Sequence, residues 1–144
     1  MSELPLLQFD AVAEGEDVAP FVLENVNRTH FVKYAGASGD FNPMHHDDTM
    51  AQAVGYPSVF GHGMFSAGVL SGYVTRLIGG VANLRKFSTQ FRGQIWPGDT
   101  VTFSAKITGK STENGENRVD MDLAVTNQDG KAIVLGSATA ALTS

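Results

Sequence analysis

Along the second half of the chain, apolar and polar residues alternate with a period of two. Val101, Phe103, Ala105 and Ile107 alternate with Thr102, Ser104, Lys106 and Thr108. Val119, Met121, Leu123 and Val125 alternate with Asp120, Asp122, Ala124 and Thr126. A strand turns successive side chains to opposite faces, so each run predicts a strand with one buried face. Residues 84–95 and 131–142 predict two further strands with looser alternation. Pro97-Gly98-Asp99, Asn114-Gly115 and Asp129-Gly130 separate the runs as turns. Connections this short predict antiparallel meander pairing.

The first half changes period. Residues 18–26 are apolar enough for a first strand. Asn27 or Thr29 then caps a short helix carrying Phe31, Val32, Tyr34 and Ala35, which Gly36 and Gly39 end. Asp47 or Asp48 caps a second short helix over 49–54, and 55–61 is rich in turn residues. Residues 63–78 form the strongest helix pattern. No charge occurs there before Arg76, which predicts burial nearly all round. Gly63, Ala67, Gly68, Ser71 and Gly72 give this helix a small-residue surface that another backbone or a ligand can approach closely. One apolar helix and a run of antiparallel strands predict an α+β fold, with the helix on one sheet face.

Composition narrows the function. A chain of 144 residues predicts one domain with a real core, covering 1–144. Its net charge of −5 argues against a nucleic-acid partner. The absence of cysteine excludes disulfides and thiolate chemistry, and fits a reducing, cytoplasmic setting. Met1-Ser-Glu-Leu-Pro5 does not read as a signal peptide. Gly55, Pro57, Gly61 and Gly63 interrupt the longest charge-poor run, so no membrane span is expected.

The chemistry concentrates in Ala37-Ser-Gly-Asp-Phe-Asn-Pro-Met-His-His-Asp-Asp48. Asp40 and His45 can act as an acid/base pair, since imidazole titrates near neutrality and a carboxyl kept from water holds its proton. Asn42 can orient either one. By residue type alone the same segment also reads as a surface turn. His45-His46-Asp47-Asp48 lacks the helical spacing of a metal site, so no metal is expected, and Asp47 and Asp48 read as helix caps. His62 precedes the apolar helix, where a neutral, hydrogen-bonding imidazole is expected. The free N–H groups at Gly63 and Met64 can hold a carbonyl oxygen as charge develops on it. His30 reads as a helix-surface residue without a partner.

Tyr34-Ala-Gly-Ala-Ser-Gly-Asp-Phe-Asn-Pro-Met-His-His-Asp47 resembles the hydratase motif of MaoC-like (R)-specific enoyl-CoA hydratases and 3-hydroxyacyl-thioester dehydratases. Phe60-Gly-His-Gly-Met-Phe-Ser-Ala-Gly-Val-Leu-Ser-Gly72 is similar to the family's second signature. Phe91-Arg-Gly-Gln-Ile-Trp-Pro-Gly-Asp-Thr100 resembles its strand-turn-strand segment. The resemblance implies a hot-dog fold, with an antiparallel sheet wrapped around a central helix. It implies reversible hydration of trans-2-enoyl thioesters in fatty-acid metabolism, without a cofactor. Asp40 and His45 would be the catalytic pair, Gly63 the oxyanion donor, and Ser71 and Asn42 would bind substrate. The substrate would be an acyl thioester of CoA or of acyl carrier protein, with Arg85, Lys86 and Arg92 available as a basic patch. A homodimer is expected, or a heterodimer with a related subunit. Two other readings are a hot-dog thioesterase and an acyl-chain-binding subunit. Residues 63–75 contain no acid, which argues against the thioesterase.

Overall fold

The computed structural model describes residues 4–144, so part of the N-terminal reading, over residues 1–3, lies outside it. The elements run β1 (Asp17–Leu23), α1 (Arg28–Ser38), α2 (Asp48–Ala53), α3 (Gly63–Leu77), β2 (Leu84–Phe91), β3 (Val101–Glu113), β4 (Glu116–Thr126) and β5 (Ala132–Ala141). The five strands form one antiparallel sheet in the order β1-β3-β4-β5-β2. The predicted meander holds for β3-β4-β5. It fails for β2, which pairs with β5 at the sheet edge and not with the next strand, β3. Asn114 (φ 53°) and Gly115 (φ 80°) close the β3–β4 hairpin, both in the left-handed region that a tight two-residue turn requires.

The inner sheet face carries the alternating apolar set. Val101, Phe103, Ala105, Ile107, Val119, Met121, Leu123 and Val125 are buried there. Opposite them, α3 contributes Leu70, Tyr73, Val74 and Leu77, all fully buried. Each such side chain stabilises the fold by about 1.5–3 kcal/mol relative to exposure. Tyr73 also donates its hydroxyl to the Ala19 carbonyl on β1, at 2.9 Å. Burial pushes this phenol up to about 12, so it stays a donor.

α3 is not buried all round, as its lack of charge suggested. Gly63, Met64 and Gly68 face out, and Ser71 and Gly72 are partly exposed. The sheet covers one side of the helix, and small residues line the other. α1 starts at an Asn27 cap. The Asn27 side chain accepts the Thr29 N–H, and His30 Nδ1 accepts the Asn27 N–H. His30 therefore has a partner, contrary to the sequence reading. Gly36 does not end the helix. One interior glycine costs only about 1 kcal/mol, whereas Gly39 takes the left-handed conformation (φ 76°) that stops it.

Strand β1 stops at Leu23, short of Val26, because Asn25 turns into the left-handed region (φ 50°). Val26 then joins a different structure. Its N–H donates to the Asp99 carbonyl at 2.8 Å, and its carbonyl accepts the Gly98 N–H at 2.7 Å. Strand β2 ends at Phe91, short of residue 95. The N–H groups of Arg92 and Gly93 both turn to the Ile133 carbonyl, which breaks the ladder. Asp99 is buried at the centre of the following turn. Its Oδ2 accepts the Trp96 N–H at 2.8 Å and its Oδ1 accepts the Gln128 side-chain amide at 2.9 Å. Among the described residues, no helix is long and apolar enough to cross a membrane.

Removing the buried Asp99 carboxylate leaves the half-buried Trp96 N–H and the Gln128 side-chain amide without their acceptor. Hydrogen bonds to charged groups contribute about 1.5–3 kcal/mol each. Asp99→Ala should therefore lower the urea-unfolding free energy by at least that much, with a smaller loss in Asp99→Asn. A loss under about 0.5 kcal/mol in Asp99→Ala would remove this turn from the stabilising set.

Candidate active site

The loop from Gly39 to His46 is built by its own side chains. Ser38 Oγ accepts the Asp40 N–H, and Asp40 Oδ1 accepts the Asn42 N–H, both at 3.2 Å. Asn42 Oδ1 accepts the Met44 N–H at 3.1 Å and caps a 3₁₀ turn, Pro43–His45. Pro43 at the start of that turn has no N–H to satisfy. The turn carries His45 inward and leaves Asp40 at the rim. His45 is buried, while the Asp40 side chain is 53% exposed. The expectation of a carboxyl kept from water is thus not met in the isolated chain. Asn42 is exposed, and its side-chain oxygen is committed to the turn.

His45 is held in one tautomer. Its Nδ1 lies 2.7 Å from the Phe60 carbonyl. A carbonyl only accepts, so Nδ1 carries the proton and Nε2 presents a lone pair. The Phe60 ring packs edge-on against the imidazole at 5.2 Å. His45 sits below the ordinary imidazole value of 6.5, chiefly because burial penalises the imidazolium. The Phe60 carbonyl and Asp40 pull it up, and His62 and His46 pull it down.

His62 joins this pair. Its ring stacks on His45 at 3.7 Å and 28°. Its Nε2–H donates to the Asp40 carbonyl at 3.0 Å, and the same nitrogen lies 3.9 Å from Asp40 Oδ2. Donor atoms of Asp40, His45 and His62 lie within 4.8 Å of one another, a spread that a metal ion could bridge. However, His62 Nε2 is occupied by its proton and its carbonyl, and stacked rings do not converge their lone pairs on one point. The geometry suits a hydrogen-bonded cluster better than a chelate.

Gly63 opens α3 directly after His62, so its N–H has no acceptor within the helix. A Cβ at this position would come within 3.2 Å of the Phe91 ring, so glycine keeps the approach open. Ser71 lies farther along the helix, and its hydroxyl donates to the Gly68 carbonyl at 2.9 Å. The structure therefore brings Asp40 and His45 together, with Gly63 one residue from their neighbour His62. It gives Ser71 and Asn42 local structural bonds.

The remaining residues of the loaded segment are structural. His46 donates to the Phe41 carbonyl at 3.1 Å. Asp47 caps α2, accepting the N–H groups of Thr49 and Met50. Asp48 is not the cap. It accepts the Val59 N–H at 3.0 Å and pairs with Arg28 at 2.9 Å, which holds its carboxyl below the usual range. Arg85 of the expected basic patch is paired with Glu116 at 2.6 Å.

Residue types alone did not reveal two parts of the cluster. The Phe60 carbonyl is main chain and leaves no trace in composition. His62 is visible in the Phe60-Gly-His-Gly-Met segment, but nothing in its spacing from Asp40 shows that they touch.

With this geometry in place, the chain can be set beside known proteins. An (R)-specific enoyl-CoA hydratase from Rhodospirillum rubrum is 30% identical, over 95% of this chain and 92% of that protein. The R-hydratase PhaJ1 from Pseudomonas aeruginosa shares the fold with a TM-score of 0.82 at 24% identity, covering 95% of this chain and 86% of that one. The ChsH1-ChsH2 complex from Mycobacterium tuberculosis contains a chain with a TM-score of 0.76 at 25% identity, covering 90% and 98%. The fold is thus the expected α+β hot-dog, a sheet wrapped around α3. Residues 12–130, which include the loop from Gly39 to His46, the His62-Gly63 step and most of the sheet, match the MaoC like domain, and the chain belongs to that family.

Proposed function

We propose that this protein is a hydro-lyase that adds water across trans-2-enoyl thioesters to give (R)-3-hydroxyacyl thioesters, and catalyses the reverse dehydration. The observation that carries the reading is the locked tautomer of His45. Its Nε2 carries the lone pair, donor atoms of His45 and Asp40 lie within 4.8 Å of each other, and the adjacent helix begins with a free glycine N–H. The family membership and the hydratase relative support the same chemistry.

The thioester carbonyl accepts the Gly63 N–H. This draws electrons from the double bond and makes the β-carbon electrophilic. One water bridges His45 Nε2 and the Asp40 carboxyl. His45 takes a proton from that water as its oxygen bonds to the β-carbon. The π electrons move onto the thioester oxygen, where the Gly63 N–H and the positive end of α3 stabilise them. The Asp40 carboxyl then delivers a proton to the α-carbon on the same face, and proton return from His45 resets the pair. A bound acyl chain over the loop would shield the Asp40 carboxyl, which is open in the free chain. Every step uses protein groups, so no metal or cofactor enters the scheme. Asn42 shapes the turn that delivers His45, and Ser71 lines the outer face of α3 where the acyl thioester would lie.

The chain would act as one hot-dog unit, paired with a second copy or with a related subunit. What supports pairing is the outward stripe of α3, where Met64 is 59% exposed, and the open edge of β2, where Phe91 is 48% exposed. The carrier on the thioester would be CoA or acyl carrier protein, and the setting cytoplasmic.

Purified protein should hydrate crotonyl-CoA or a longer trans-2-enoyl-CoA, followed by loss of the enoyl absorbance and chiral analysis of the product. Asp40→Asn and His45→Gln should each lower kcat by about 10²–10⁴-fold with unchanged melting. Full activity in both variants would sink the assignment.

Gly63→Pro removes the proposed oxyanion donor at a helix position that tolerates proline. His62 already has backbone angles suited to a following proline (φ −58°, ψ 138°). The substitution should cost about 10²–10³-fold in kcat. Gly63→Ala, which places the same Cβ against Phe91 but keeps the N–H, should cost far less. Equal losses in the two variants would assign the effect to crowding.

Because burial lowers the His45 value, the base stays neutral to a lower pH than a free imidazole. The acid limb of kcat/KM should have its midpoint below 6.5. A midpoint at or above 6.5 would contradict His45 as the base.

A further inference from the structure

We infer that His62 is a positioning residue that registers the acid, the base and the oxyanion donor against one another. The inference rests on the hydratase reading of Asp40, His45 and Gly63, and adds to it a residue without a direct chemical role.

Three contacts of one side chain and its peptide carry the argument. First, His62 Nε2–H holds the main-chain carbonyl of Asp40 at 3.0 Å, across 22 residues of sequence. The Asp40 side chain is half exposed, so this bond pins the acid's backbone to the buried part of the structure. Second, the His62 ring stacks on His45 at 3.7 Å and forms one wall of the slot that holds the base. Tyr34 packs on the same imidazole at 4.9 Å and Phe65 on Tyr34 at 6.0 Å, which fixes the ring within the aromatic core. Third, the proposed oxyanion N–H belongs to the peptide that joins His62 to Gly63. The His62 carbonyl on the same peptide accepts the Phe65 N–H at 3.1 Å, so the direction of that N–H is set at His62.

The other ring nitrogen shows that packing alone does not explain a histidine here. His62 is 2% exposed, and its Nδ1 has no hydrogen-bond partner. An unpaired buried nitrogen is a cost to stability, and an apolar ring of similar size would avoid it. What such a ring could not supply is the Nε2–H bond to Asp40. Functional sites are where a cost of this kind is retained.

The test compares His62→Phe, which keeps a stacking ring but loses the donor, with His62→Gln, which keeps an amide donor at comparable reach. A shift of about 1 Å in a catalytic group can cost about 10²-fold. His62→Phe should lose about 10–100-fold in kcat, with KM within about threefold and melting close to wild type. His62→Gln should recover most of that loss. Added to His45→Gln, His62→Phe should cause little further loss, because residues acting through one another are not additive. Wild-type kcat in His62→Phe, or a loss that multiplies in full with His45→Gln, would overturn the inference. If the wild-type chain hydrates no enoyl thioester, the functional reading fails and the positioning role is read without turnover. Amide hydrogen exchange should then be faster across residues 40–45 in His62→Phe than in the wild type, and restored in His62→Gln, because the bond removed holds the Asp40 main chain. Unchanged exchange in His62→Phe would overturn the role.

Discussion

A helix carrying Leu70, Tyr73, Val74 and Leu77 cannot stand in water, so the sheet must close over it. This burial fixes more than the core. It sets the depth at which the first turn of α3 emerges, and so where the Gly63 N–H points. The strands that cover the helix need an apolar inner face and nothing more, which β3 and β4 supply by alternation. The outer side of α3 is left to small residues, and it is there that a second subunit or a ligand can come close. Core and site are two faces of one element.

The loop separates His45 and Asp40 by depth. His45 is delivered inward by a turn that Asn42 caps and Pro43 stiffens, and burial lowers its proton affinity. Asp40, five residues earlier, stays at the rim with its backbone tied to His62. In the proposed reaction, a base held within and an acid reachable at the edge would suit a water that arrives from solvent with the substrate. Binding a metal through His62 Nε2 would require giving up that tie.

Much of this was legible in the sequence because it repeats. The period-two runs in β3 and β4, the Asn-Gly hairpin and the charge-free helix are local patterns with local causes. The loop from Gly39 to His46 was legible for another reason: Asp40, Asn42 and His45 lie within six residues, and Pro43 narrows their arrangement. What was not legible is long-range. No local pattern says that β2 skips β3 to pair with β5, since that depends on how far the sheet coils. None says that His30 completes a cap or that Asp48 braces Val59 and Arg28, because each needs a partner fixed by tertiary structure. The exposure of the α3 stripe is not legible in the sequence, because a lack of charge looks the same whether a helix is covered by its own sheet or left for a neighbour.

The Phe60 carbonyl has an evolutionary consequence. A histidine whose tautomer is set by a carboxylate side chain can lose its setting through one codon change. Here the acceptor is main chain, and every amino acid at position 60 would offer the same oxygen at 2.7 Å from His45 Nδ1. Mutation at that codon can alter the ring that packs on His45 but cannot delete the bond that orients it. Side-chain drift at this position is therefore free to reshape the site's wall while the direction of the lone pair is inherited with the backbone.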